Sequence, residues 1–182
     1  MSVFKVASRY AKSLIDLASE QGSLETIKTD MDSFIAVLKS SSELQAVLAN
    51  PIVPLDKKSG ILENILGAKV NEATRAFAKL IVNKGRSAIL FDISKSFIAQ
   101  YNALKGIVTA YVTTATELTA ESRAEIVAIV KKEIGANEVV IREKVNDKLI
   151  GGFILKVGDR QFDASIASSL NKLKKEFAQG IA

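Results

Sequence analysis

The hydrophobic pattern of this chain changes period at Lys105-Gly106, and no other feature restricts the fold as strongly. Before that point apolar residues recur at i, i+3, i+4 and i+7, the spacing of one helix face. After it they come in β-branched runs and alternating strings, the pattern of strands. A chain of 182 residues has room for one medium domain or two small ones. The change of period places a boundary between 1–105 and 106–182.

The first part predicts six helices. One runs over Val3–Gln21 and stops at Gly22, and the next carries Leu24, Ile27, Met31, Phe34, Ile35 and Leu38 on one side. A short helix over Ser42–Ala49 is halted by the Pro51 and Pro54 pair, and Pro54 suits the opening turn of a helix that lasts until Gly67. Asn71 caps a fifth, closed by Gly85, and Ser87–Lys105 presents Ile89, Leu90, Ile93, Phe97, Tyr101 and Leu104. Short loops between helices of this length predict a bundle.

In the second part "IVTAYVTTA" reads as a strand, and Thr119 caps a helix through Ile134 that Gly135 ends. "EVVIREKV" and "KLIGGFILKV" are two more strands, the latter beginning at Lys148 after a turn at Asn146-Asp147. "GDRQF" turns again, with room for a short fourth strand, and a last helix starts at Asp163. The expected class is α+β: an N-terminal six-helix bundle followed by a small βαββα domain.

Composition narrows the chemistry. There is no Cys, hence no disulfide or thiolate metal site, and no His, the commonest general base and metal ligand. No window approaches the ~18–20 continuous apolar residues that span a bilayer. The basic, amphipathic opening resembles a transit peptide only superficially, because Val6, Tyr10, Leu14 and Leu17 continue into a complete helix. A bacterial cytoplasmic setting fits best. The net charge of +5 divides as +4 over 1–105 and +1 over 106–182, spread thinly along helices without a basic run. That is a solvated surface rather than a nucleic-acid footprint.

The stretch "LIGGFILKVGDRQFDAS", Leu149 to Ser165, has the look of a phosphate cradle, yet it lacks GxxxxGK[ST] and GxGxxG. Its glycines lie inside a strand pattern, where Gly-Gly marks a bulge or a close approach by a neighbouring element. Asp163 and Ser165 fall where a helix begins and can satisfy its free N–H groups. The pairs Asp30/Asp32 and Glu117/Glu121 lack the apolar frame that separates two carboxyl pKa values. Lys131, Lys132, Lys172, Lys174 and Lys175 complement helix C-termini. What remains is interaction surface: Ala7, Ala11 and Ala18 allow close helix approach beside Tyr10, Leu14 and Leu17, and a groove between two such helices can accept a third.

Three stretches resemble a known family. "RYAKSLIDLA" (Arg9–Ala18) is similar to its opening helix. "LANPIVPLDKKSGILENIL" and "NKGRSAILFDISKSF" are similar to its middle. Most specific is "VVIREKVNDKLIGGFILKVGDRQFDASIASSLNKL", with a Gly-Gly strand, Gly-Asp and Asp-x-Ser. The family is the delta subunit of bacterial F-type ATP synthase, the counterpart of the mitochondrial oligomycin-sensitivity-conferring protein. Ala164 departs from its pattern, which often has Gly there.

The resemblance implies a non-catalytic stator subunit without cofactor or metal. It would link the F1 catalytic hexamer to the peripheral stalk and resist torque during proton-driven ATP synthesis. It implies a peripheral membrane protein on the cytoplasmic face of the bacterial membrane, a single copy in a hetero-oligomer, neither inserted in the bilayer nor bound to nucleic acid. The bundle would receive the N-terminal helix of an alpha subunit between its first and fifth helices, pointing to Tyr10, Ser13, Leu14, Leu17, Leu80, Asn83, Gly85 and Arg86. The βαββα domain would hold the C-terminal ends of the b subunits, shaped by Gly151, Gly152 and Phe153, with Ile166, Leu170, Leu173 and Phe177 as contact surface. Two other readings are an RNA-binding module on the βαββα half and an enzyme lacking His. Near-neutral charge and the lack of an aromatic platform on the strands disfavour the first; the second needs convergent carboxylates in a pocket.

Overall fold

Side-chain capping starts several of the helices. In the computed structural model, which describes residues 2–67, 70–147 and 149–179, the chain opens with α1 (Val3–Glu20) and α2 (Leu24–Ser40). Ser41 then accepts the Leu44 N–H at 3.2 Å and starts α3 (Ser42–Ala49). Pro54 directly precedes α4 (Leu55–Leu66), and the Asn71 side chain accepts the Ala73 N–H at 2.9 Å to start α5 (Glu72–Asn83). The expected helix from Ser87 opens as a 3₁₀ turn, Ser87–Ile89, and becomes α6 (Leu90–Lys105). The chain divides into two units, Met1–Tyr101 and Asn102–Ala182, and the division falls inside α6.

The first unit packs around alanines and aliphatic side chains. Ala7, Ala11 and Ala18 of α1 are fully buried, as are Ile27 of α2 and Ile81 and Val82 of α5. A buried Ile or Val side chain contributes about 1.5–3 kcal/mol over its exposed state. Two buried polar groups tie the helices together. The Asp30 carboxylate of α2 accepts the Asn71 N–H and the Thr74 hydroxyl, both at 2.9 Å, at the start of α5. The Lys58 ammonium of α4 donates to the Leu48 carbonyl at 2.9 Å and to Ser87 Oγ at 3.0 Å, satisfying a free carbonyl at the end of α3.

The second unit contains β1 (Ile107–Thr114), α7 (Ala120–Ile134), β2 (Glu138–Val145), β3 (Gly152–Val157), β4 (Arg160–Ser165) and α8 (Ile166–Gln179). The sheet order is β2-β1-β3-β4. β1 and β2 are parallel across the α7 crossover, and the other pairs are antiparallel. Ala110, Val112, Leu155 and Val157 face Ile126 and Val130 of α7 in one core. Thr119 caps α7 by accepting the Ser122 N–H at 3.2 Å, and Gly135 ends it at φ 70°.

The order is therefore βαβββα, correcting the expected βαββα. Gly158-Asp159 is a two-residue hairpin loop with positive φ at Gly158 alone, the type II′ pattern, and it returns the chain as a full strand. Phe162 sits opposite Leu155 and packs against the core, while Gln161 and Asp163 point the other way. A second correction follows: Asp163 lies in β4, and the last helix starts at Ile166. The expected third strand also begins late, at Gly152, with Lys148 outside the described residues. Among the described residues the chain is thus a mixed α+β protein with eight α-helices and a four-stranded sheet.

Candidate functional site

Along α1 and the end of α5 the residues singled out in the sequence separate into core and surface. Leu14 is 1% exposed and belongs to the packing of α1. Leu17 and Leu80 are 37% and 46% exposed, large apolar side chains left open on the two helices. Ser13 is exposed and its hydroxyl donates back to the Arg9 carbonyl at 3.1 Å. Asn83 is exposed, and Gly85 turns the chain at φ 67° directly after α5. That turn carries Arg86 back to α1, where it donates to Tyr10 Oη at 2.7 Å and stands 5.3 Å from the ring centroid. Phe77 of α5 meets the same ring edge-on, 6.5 Å between centroids. Tyr10, Phe77 and Arg86 thus join α1 to the end of α5. Arg9, not singled out from the sequence, shares a small cleft with Tyr10 and Arg86; its one signal was its place beside Tyr10.

In the second unit Gly152 proves to be a steric requirement. Gly152 has φ 76°, and a Cβ there would overlap the Ala164 carbonyl oxygen and lie 3.0 Å from Ser165 Cα. A Cβ on Gly151 would lie 2.6 Å from Ile166 Cδ1. Bare backbone at Gly152 lets β4 close against β3, whereas at Gly151 only the end of the Ile166 side chain would have to move. Beside them a cleft of about 420 Å³ is lined by Leu118, Ile129, Ile150 and Phe153, with the buried Thr114 hydroxyl on its wall.

Ser165 is the cap of α8, its Oγ accepting the Ser168 N–H at 3.2 Å. Asp163 accepts the Ser168 hydroxyl at 2.6 Å and the Ser165 N–H at 3.0 Å. The Ser168 bond first, and the Ser165 bonds after it, hold the Asp163 carboxyl below the usual aspartate range. Beyond the cap, Ile166, Leu170, Leu173 and Phe177 are 45–71% exposed, a continuous apolar stripe on a helix with no buried residue among those described.

No helix of the described residues is long and apolar enough to cross a membrane. Each of the two units leaves large apolar side chains on a helix face open to solvent, and a protein of this class has surface rather than reactive groups to offer. The model of the family "ATP synthase delta (OSCP) subunit" matches residues 6–177, and the chain belongs to that family.

Relatives agree in length as well as sequence. ATP synthase subunit delta of Cytophaga hutchinsonii is 42% identical over 181 residues, covering 100% of this chain and 98% of that one. The same subunit of Amoebophilus asiaticus is 37% identical, covering 97% and 96%. The chloroplastic subunit delta of Ochrosphaera neapolitana is 34% identical, covering 95% and 97%. A chain in the Toxoplasma gondii mitochondrial ATP synthase hexamer shares the fold, with TM-score 0.71 at 24% identity over 94% of this chain and 97% of that one. The protein is accordingly a non-catalytic structural subunit of ATP synthase, one component of a hetero-oligomer and peripheral to its membrane part.

Proposed function

We propose that the protein is a two-ended stator link, with residues 1–105 holding the catalytic head and residues 106–182 holding the peripheral stalk. In this reading α1–α6 act as one six-helix bundle whose α1/α5 surface receives the N-terminal helix of an alpha subunit. Leu17 and Leu80 are its apolar floor, Tyr10, Ser13, Asn83 and Arg86 its polar end, and Gly85 the turn that brings Arg86 back. The Gly151-Gly152-Phe153 corner and the α8 stripe receive the C-terminal ends of b subunits. The site of action is the cytoplasmic face of a bacterial membrane, a setting supported by the bacterial relatives.

The observation that carries the reading is that each unit leaves an apolar helix face open to solvent, a surface suited to helix-in-groove docking. A stator must resist torque, and two attachments on one chain add avidity without new chemistry. Titration calorimetry of the full chain with a synthetic peptide of the alpha subunit's N-terminal helix tests the first attachment. Leu80→Asp, at an exposed position, should abolish binding and leave the circular dichroism spectrum unchanged. Undiminished binding by that variant would remove α5 from the site.

A further inference from the structure

The cleft at the Tyr10 end of this groove has a chemistry that an apolar floor does not explain. It encloses about 260 Å³ and is lined by Val6, Arg9, Tyr10, Ser13 and Arg86. Two arginines line one small space. No carboxylate of the described residues lies within salt-bridge distance of either. Arg86 uses one N–H on Tyr10 Oη. Because Tyr10 accepts that bond, its own proton is free to donate. The Ser13 proton is not free, being held by the Arg9 carbonyl. The charged open valences of the cleft are therefore donors, the Arg9 fork and the rest of the Arg86 fork, with the Tyr10 O–H beside them and the Ser13 hydroxyl oxygen a neutral acceptor. Such a set suits a group that only accepts, and a carboxylate takes a guanidinium fork through both oxygens. Tyr10 is held in place for this, with Phe77 at its edge and Arg86 over its face.

We propose that the cleft is a carboxylate-binding subsite of the groove. It takes an Asp or Glu side chain of the docked amphipathic helix while that helix's apolar stripe covers Leu17 and Leu80. The inference rests on the groove reading given above. It also sets a spacing. Tyr10 and Leu17 are seven residues apart on α1, about 10 Å along its axis. The ligand's carboxylate therefore lies about two turns from the apolar residue seated over Leu17. An open ion pair in water contributes little, but a docked helix covers the cleft and excludes that water, which strengthens each charge-assisted bond. The subsite selects among amphipathic helices and fixes the direction in which one lies.

Titration calorimetry of the full chain at low and high salt separates the subsite from the groove. The ligands are the synthetic alpha-subunit N-terminal peptide and the same peptide with Gln and Asn at its acidic positions. The charge-free peptide on the wild-type chain, and the native peptide on an R9Q/R86Q chain, should each bind about tenfold more weakly. Combining the two changes should add no further loss, and the salt dependence should vanish in both. Equal affinity for the native and charge-free peptides, or wild-type affinity in R9Q/R86Q, overturns the subsite and leaves the groove standing. No binding by a folded wild-type chain overturns both. Arg9 and Arg86 are exposed, but R86Q also removes the bond that holds Tyr10. R9Q alone, which leaves that bond in place, should therefore weaken the native peptide and not the charge-free one, and circular dichroism checks that each variant remains folded.

Discussion

At the scale of single residues, the tightest constraint falls on Gly152. Two separate costs meet there: positive φ, and the approach of the Ala164 carbonyl. Gly158 has positive φ with open space around it, so it isolates the first cost. Gly158→Ala is expected to lose about 1 kcal/mol and Gly152→Ala about 2–4 kcal/mol in denaturant unfolding of the second unit. Equal losses would mean that the contact with β4 is not limiting. Asp163 gives a pH signature. Its folded carboxyl titrates below the unfolded value, so its contribution is fully present above about pH 4 and is lost as pH falls through the folded value. Stability of the wild type should fall across that acid window more steeply than that of Asp163→Asn, and an Asp163 titration midpoint at or above the ordinary aspartate value by NMR would contradict the assignment. The sequence showed both residues as constrained, because Gly-Gly in a strand and Asp-x-Ser before a helix are local signals. It could not show what constrains them, since Ala164 and Ile166 meet the glycines only through the β3–β4 pairing.

At the scale of elements, legibility followed the range of the interactions. The starts of α5 and α7 were readable because Asn71 and Thr119 bond to N–H groups two or three residues away. β4 was legible only as room for a short strand, because "GDRQF" read as a turn and Asp163 as the start of the last helix, and only pairing with β3 makes Arg160–Ser165 a full strand. Asp30 looked like a surface carboxylate beside Asp32, yet its partners stand 41 and 44 residues along the chain. Asp30→Ala removes the acceptor for two donors at the head of α5 and should cost about 2–4 kcal/mol in the first unit, read by thermal unfolding. α8 behaves in the opposite sense. Its stripe supports no core, so Leu170→Asp should change stability by less than about 0.5 kcal/mol. The same variant should bind a peptide from the C-terminal end of the b chain at least tenfold more weakly. A large loss of stability with intact binding would make α8 a structural helix instead.

At the scale of the whole molecule, the account is a division of labour in which neither unit needs a reacting group. With no His and no Cys the candidate reacting groups were confined to Asp, Glu, Lys, Tyr, Ser and Thr, and the family match supplied the machine that composition could not name. The two surfaces lie on separate units, so filling one should leave the other available. Biolayer interferometry with the alpha-subunit N-terminal peptide immobilised tests this directly: the full chain is captured first, then a soluble C-terminal segment of the b subunits is added. The account predicts a second binding step, with the b segment bridged to the peptide only through this chain, and with Leu80→Asp abolishing the first step and Leu170→Asp only the second. Release of the chain from the peptide on adding the b segment, capture of Leu80→Asp at wild-type level, or loss of capture by Leu170→Asp would contradict it.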